Sequence, residues 1–482
     1  MHGPMGESSF TKAVNALVTS IQSCSPAKDS LFEQAQIYFE TSDALKKTRQ
    51  QLLQNCNLIE SSLKTATKHA KLNLNEDLKA AKLALKKELD QQQQARTTRY
   101  HQVIKVLTKV LNLSESTSWV ETQISSAKFL GTLQMLSPDG IQRRQQNQKL
   151  KPAYKGALAL RLLDKLLKEQ HISNQYINDR YQENARYSVT EGELTSFQRD
   201  VGIPILMASI FQDIGLQHPK AQLILKGDDG KLDEFRVLDN DERLALLKIN
   251  HEYTLDYVSH GIGLEQYVGN SKDERELFDR NEKERLGFTR KLLKDALKPQ
   301  QGVGNLIKVP QIYTSVIFSA KSTHNLYDLP KAGLVVTKAA ENGVISKIAA
   351  ESLIAIVGHF PQGYGITYIP KDNDNKDLNS YEYAIVTELN PEDPYVPRCR
   401  KATRKLTFIS NGQVISVKAD VNLYFPAARK KLEQISPERL EEILRKLSSN
   451  FQERKDLELI PSHWNPRGFF GYQKLQNLWK KG

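Results

Sequence analysis

Two side chains in this sequence have the chemistry to share a cation. Asp213 is a carboxylate, and His251 is an imidazole about 35 residues further on, in the run Ile249-Asn250-His251-Glu252-Tyr253-Thr254-Leu255. Asp213 follows an apolar stretch (Ile203, Ile205, Leu206, Met207, Ala208, Ile210, Phe211) that closes on Phe211-Gln212-Asp213-Ile214-Gly215. That pattern reads as a buried helix presenting an acid near its C-terminal end and stopping at Gly215. A hydrolytic metal centre needs several carboxylates and imidazoles around one or two cations, with an open position where bound water becomes acidic enough to attack phosphate. Asp213 and His251 supply two ligands, and Gln212 between the helix and the acid is a poor third. His218, His260 and His324 are scattered and read as packed or surface residues. A second chemistry is phosphate recognition. Arg398, Arg400, Lys401, Arg404 and Lys405 form the densest basic cluster of the chain, read as a loop between strands. No Gly-x-x-x-x-Gly-Lys-Ser/Thr loop and no Gly-x-Ser-x-Gly elbow occurs, so neither phosphate-loop nor serine-hydrolase chemistry has support.

These residues need helices to position them, and the composition allows it. At 482 residues the chain can hold two to four domains with cores of their own. The net charge of +12 favours anionic partners, but Lys and Arg alternate with Glu and Asp along helical segments, which points to solvated faces rather than to a nucleic-acid footprint. Cys24, Cys56 and Cys399 have no paired spacing, so neither a disulfide framework nor a zinc knuckle is expected. No stretch reaches the roughly 20 apolar residues of a membrane span, and the first residues lack the layout of a signal peptide, so a cytoplasmic protein is expected.

Along the chain the pattern predicts a mainly α fold. Residues 42–113 lack proline and glycine; Leu45, Leu52 and Ile59 recur every seven, with Cys56 and Leu63 in the companion seam. The spacing predicts a coiled-coil-like hairpin packed on itself, or a dimerisation helix. Pro138-Asp139-Gly140 and the polar run after it predict a linker over 140–152. Helices are expected over 156–171, 191–200, 272–297 and 339–357, with two short ones around His251 and His260. Strands are expected over 364–369, 383–389, 405–410, 413–418 and 421–425, with a hairpin turn at Ser410-Asn411-Gly412-Gln413. The chain then becomes helical again to 447, and its aromatic, basic tail (Trp464, Phe469, Phe470, Trp479) is expected to dock on the body. The expected divisions are 1–150 (helical, a candidate dimerisation region), 151–360 (helical domain), 361–425 (β subdomain) and 426–482.

This order of elements resembles the HD-GYP subfamily of HD metal phosphohydrolases, over about residues 190–425. The resemblance rests on Gln212-Asp213-Ile214-Gly215, on His251 and on Phe360-Pro361-Gln362-Gly363, which is similar to the turn that introduces the family's β appendage. It implies an HD-type helical bundle in a bacterial signalling protein linked to cyclic di-GMP. In the family a histidine stands where Gln212 stands, and a metal aspartate falls near Ile317, in a segment without an acid. Gln212, Asp213, Gly215, His251 and Ile317 therefore read as remnants of a motif. The implied function is a catalytically degenerate module that binds a cyclic dinucleotide or signalling proteins, with no metal cofactor. Two other readings stay open. One is an active cyclic di-GMP phosphodiesterase with iron or manganese on a rearranged site at Asp213 and His251. The other is a basic nucleotide- or nucleic-acid-binding adaptor using residues 398–405.

Overall fold

Residues 27–114 contain neither glycine nor proline, and this absence of breakers produces the longest elements of the chain. The computed structural model describes residues 5–23, 25, 27–187, 193–447 and 458–479. Its helices begin with α1 (Ser9–Ile21), α2 (Leu31–Thr65) and α3 (Lys68–Ser114). A capping box opens α2: the Ser30 hydroxyl accepts from the Glu33 amide while the Glu33 carboxylate accepts from the Ser30 amide. There follow α4 (Trp119–Met135), α5 (Arg143–Lys168), α6 (Gln175–Asn178) and α7 (Ile203–Phe211). Next come α8 (Pro219–Lys226), α9 (Asn240–Asp256), α10 (Lys272–Asp295), α11 (Asn305–Ile317), α12 (Ala332–Glu341) and α13 (Lys347–Val357).

The strands are β1 (Gly365–Tyr368), β2 (Glu382–Val386), β3 (Arg398–Lys401), β4 (Thr403–Arg404), β5 (Thr407–Phe408) and β6 (Val414–Ser416). After α14 (Pro426–Glu433) and α15 (Pro437–Leu447), β7 (His463–Trp464) and α16 (Arg467–Phe470) close the described chain. The sheet is antiparallel in the order β6-β3-β2-β1-β7, with β4 and β5 paired separately. The fold is mainly α with a small antiparallel sheet, as the sequence predicts. No described helix is long and apolar enough to cross a membrane.

The chain forms two compact units that cut across the four consecutive segments expected. One holds Met1–Thr19, Leu107–Ile210 and Lys291–Gly482; the other holds Ser20–Val106 and Phe211–Arg290. In the first, α5 is the central helix, with α4, α11 and α13 packed along it. The Leu158-to-Leu167 stripe is only part of what it buries, because Ala157, Ala159, Arg161 and Asp164 are inside as well. Gly156 lets α7 approach: a Cβ there would stand 3.1 Å from Leu206. In the second unit, α2 and α3 run antiparallel. Arg99 lies over the Tyr38 ring at 5.5 Å, and further out Lys82 pairs with Glu60 at 2.8 Å. Leu52, Cys56, Ile59 and Leu63 of α2 and Leu74, Leu78, Ala81 and Leu85 of α3 are all buried or half-buried, whereas Leu45, the first residue of the heptad run, is exposed. An aromatic core of Phe39, Phe211 and Tyr257 joins the hairpin base to the rest of that unit.

Several expectations are corrected. Residues 143–152 are the start of α5, not a linker; Pro152 lies inside the helix, and Asn147 is buried, donating to the Ser319 carbonyl at 3.0 Å. The helix expected over 339–357 is two helices, because Gly343 at φ 69° breaks it and Ser346 caps the second. The helix expected over 191–200 lies partly outside the described residues, and a π turn occupies Gln198–Gly202. The hairpin turn is not at Asn411-Gly412 but at Lys405 and Leu406, both at positive φ (52° and 56°). The Glu382 carboxylate stabilises that turn by accepting from both turn amides and from the Thr403 hydroxyl. Gly412 is needed because a Cβ there would collide with the Lys401 carbonyl as β6 pairs with β3. Residues 421–425 contribute an isolated bridge, Asn422 to Tyr368, rather than a strand. The aromatic tail does dock, and adds β7 at the sheet edge.

Candidate functional site

The helix before Gln212 ends at Phe211, and Asp213 leads into a 3-10 turn, Ile214–Gln217. What joins this turn to α9 is hydrogen bonding between α9 side chains and the turn's backbone. Asn250 donates to the Gln212 carbonyl at 2.9 Å, and the Gly215 amide donates to the Thr254 hydroxyl at 3.1 Å. A Cβ at Gly215 would overlap the Asn250 carbonyl, so the glycine serves the close contact with α9. Gln212, Asp213, Gly215 and His251 belong to the second unit. Ile317 belongs to the first, where it is buried at the end of α11. Among the described residues, no group of three or more His, Cys, Asp and Glu side chains is placed to hold a metal ion. At the positions where the resemblance places ligands, Gln212 is a poor donor beside imidazole and Ile317 carries none, so these residues do not supply the donor set of a binuclear centre.

The basic cluster divides. It is not a loop: Arg398 and Arg400 lie on β3, on the same face because side chains alternate along a strand, and Cys399 is buried on the other. Their face opens on a cleft of about 1010 Å³ within the first unit. Lys401, Arg404 and Lys405 do not line it; Lys405 is part of the hairpin turn. The cleft is walled by the start of α4, the end of α5, the strand ends and the tail. It carries four cations (Lys165, Lys168, Arg398, Arg400) against two carboxylates (Glu169, Glu388), and two indoles, Trp119 and Trp479.

Each charge is held in place. Arg398 donates to Glu388 at 3.1 Å and to the Ser416 hydroxyl at 3.1 Å. Arg400 donates to the Gly412 carbonyl at 3.1 Å, and burial lowers its pKa, with Glu388 opposing. Lys165 pairs with Glu169 at 2.8 Å, and Lys168 sits 4.9 Å over the Trp119 ring. Trp479 donates its Nε1 hydrogen to the Thr387 carbonyl at 3.0 Å and lies against Gly131, where a Cβ would come within 2.6 Å of the indole. Apolar walls, stacking rings and surplus positive charge can hold a planar anion. Sequence reasoning named Arg398 and Arg400 and placed Trp479 in a docking tail, but did not join them and missed Trp119 and Lys168. They lie too far apart along the chain to make a motif; the Arg-Cys-Arg alternation was the local signal available.

Fold and site together define a mainly α protein whose small antiparallel sheet helps wall a basic, aromatic cleft. Comparison with protein-family models, with curated proteins and with solved structures finds no match.

Proposed function

We propose that the protein is a non-catalytic binding module of the degenerate HD-GYP-like kind, and that its cleft takes a nucleotide-class anion, a cyclic dinucleotide being the signalling ligand of choice. The observation that carries the reading is the juxtaposition of Arg398 and Arg400 with Lys168, Trp119 and Trp479 in one cleft. Guanidinium groups suit phosphate oxygens, and indoles suit base faces. The order of elements from α7 to the Phe360-Pro361-Gln362-Gly363 turn supports the HD-GYP-like part. There Gly363 takes φ 87° and its amide donates to the Val386 carbonyl. The reading assigns Asp213 and His251 no catalytic work.

Calorimetric titration with cyclic di-GMP tests the binding. The wild type binds with an affinity that falls as salt rises. Replacing Arg398 and Arg400 together by Gln weakens it by tenfold or more, the scale of a lost charge-assisted bond. Salt-independent binding, or an unchanged double variant, sinks the cleft. Metal analysis and a hydrolysis assay test the rest: stoichiometric iron or manganese with turnover of cyclic di-GMP overturns the non-catalytic reading.

A further inference from the structure

We propose that one exposed face of α3 seats the second unit on an anionic phospholipid surface. The face lies outside the cleft, and the proposal does not rest on the cleft's ligand. Lys68, Lys71, Lys79, Lys82 and Lys86 are all exposed and recur along α3 at helical spacing. On one border of this stripe stand Leu72 and Leu83, 66% and 68% exposed and three turns apart. At about 100° a residue the seven side chains fall within about a third of the helix surface, over about 27 Å of its length. Lysine and acid alternate along this sequence, but the winding separates them. Asp77 and Glu88 fall on the opposite side, Glu76 lies just beyond the leucines, and Asp90 closes the stripe. Only Lys82 is tied within the hairpin, to Glu60 of α2 at 2.8 Å.

A single exposed leucine is ordinary on a protein surface; two on the same border of a lysine stripe give it an apolar edge. An anionic bilayer answers both parts. The lysine stems lie in the headgroup layer with their ammonium groups at the phosphates, while the leucines enter the acyl boundary. A nucleic acid answers the charges alone. The stripe carries no arginine and no aromatic residue, the groups whose forks and ring faces hold bases, and phosphate rows offer a leucine no apolar depth. A second copy of the face would set lysine against lysine.

Co-sedimentation of the full chain with vesicles tests the proposal. The wild type is expected to sediment with vesicles of two parts phosphatidylcholine to one part phosphatidylserine, and not with phosphatidylcholine alone. Its affinity falls as salt rises. Lys68→Gln, Lys71→Gln, Lys79→Gln and Lys86→Gln together weaken binding by a hundredfold or more, at roughly fivefold for each cation at an anionic surface. Arginine at the same four positions retains it. Leu72→Ser with Leu83→Ser weakens it roughly tenfold. Circular dichroism should show near wild-type helix content in every variant, because all the altered side chains are exposed. Failure of the wild type to bind the anionic vesicles overturns the proposal. So does unchanged binding by the double serine variant, which would leave charge attraction alone. A duplex DNA oligonucleotide that displaces the protein from the vesicles, and binds the serine variant as tightly as the wild type, assigns the stripe to a nucleic acid and overturns it too. If the glutamine variant does not fold, the wild-type salt series decides, and salt-independent retention on the vesicles overturns the proposal.

Discussion

Glu115, at the end of α3, is 8% exposed and carries the charge balance of a buried cluster in the first unit. It accepts from Arg186 at 2.6 Å and from Gln198 at 2.8 Å, and pairs with Arg161. Arg186 also donates to Asp164 at 2.7 Å, which pairs with Arg161 at 2.9 Å and accepts from Tyr187 at 3.0 Å. Burial alone would raise the Glu115 pKa; Arg186 and Arg161, with the hydrogen bonds of Arg186 and Gln198, outweigh it and hold the carboxyl at about 2, against an ordinary 4.5. A depressed carboxylate contributes stability above its unfolded pKa and loses it as pH falls. The wild type is therefore expected to weaken between pH 4.5 and about 2. Glu115→Gln leaves Arg161 and Arg186 with Asp164 as their remaining carboxylate in this cluster. It should cost about 3–5 kcal/mol at neutral pH, the range for breaking a buried pair, and flatten the acid limb. Urea unfolding of both proteins from pH 7 to 2 measures the two effects; parallel pH curves would refute the assignment to Glu115.

At the scale of elements, α8 shows how one side chain can start a helix and make it sensitive to pH. His218 is its N-cap: Nδ1 accepts from the Lys220 amide at 3.1 Å, and Pro219 follows in the first turn. The ring stacks on Tyr253 at 3.5 Å and meets the edge of Phe39. Burial, then Lys220, lowers its pKa, with Asp43, Asp256 and Glu252 opposing. Only the neutral ring accepts at Nδ1, so the cap is present above the ordinary histidine pKa and is lost as pH falls below it. His218→Asn keeps an acceptor that does not titrate. Amide exchange at Lys220 should lose protection in the wild type between pH 7.5 and 5 and keep it in the variant, with a relative stability change of about 1 kcal/mol, the worth of an N-cap; equal protection in both would dismiss the cap. The sequence does not announce this cap, because histidine is an unusual N-cap, whereas Ser30 and Glu33 spell out theirs. The long helices were legible from the absence of breakers, and the α2–α3 seam from its heptads. β3 was hidden because Arg398, Arg400 and Lys401 read as a loop until burial of Cys399 shows an alternating strand. Asn411-Gly412 has the chemistry of a hairpin turn, but the close approach of β3 uses that glycine, and Glu382 stabilises the turn at Lys405-Leu406 that no local rule favours. The cleft was legible in its two arginines and in the docking tail that carries Trp479, but not as one site, since Trp119 comes from α4, far off along the chain.

At the scale of the whole molecule, the two chain ends of the first unit meet at one glutamine that sets a wall of the cleft. Gln476 is 5% exposed, and both ends of its amide are used twice. Oε1 accepts from the Ser8 amide at 2.7 Å and the Thr11 hydroxyl at 2.8 Å; Nε2 donates to the Gly6 carbonyl at 2.8 Å and the Phe470 carbonyl at 2.7 Å. Three residues on, Trp479 closes the cleft against Gly131 and Thr387. Because the tail has few residues between clasp and indole, release of the clasp should release the wall. Gln476→Ala removes four hydrogen bonds of about 0.5–1.5 kcal/mol each and should destabilise the unit by about 2–6 kcal/mol. Gln476→Glu keeps the acceptor for Ser8 and Thr11 but sets a buried carboxylate oxygen against the Gly6 and Phe470 carbonyls, so it should cost at least as much as the alanine change. Gly131→Ala tests the wall without touching the clasp, since its methyl group would meet the indole directly. All three variants should shift tryptophan emission to the red as Trp479 meets water, and weaken nucleotide binding in the same order as the shift. A variant that loses stability while emission and affinity stay at wild-type values would show that the clasp holds the termini but not the cleft, and would leave the ligand seat to Trp119, Arg398 and Arg400.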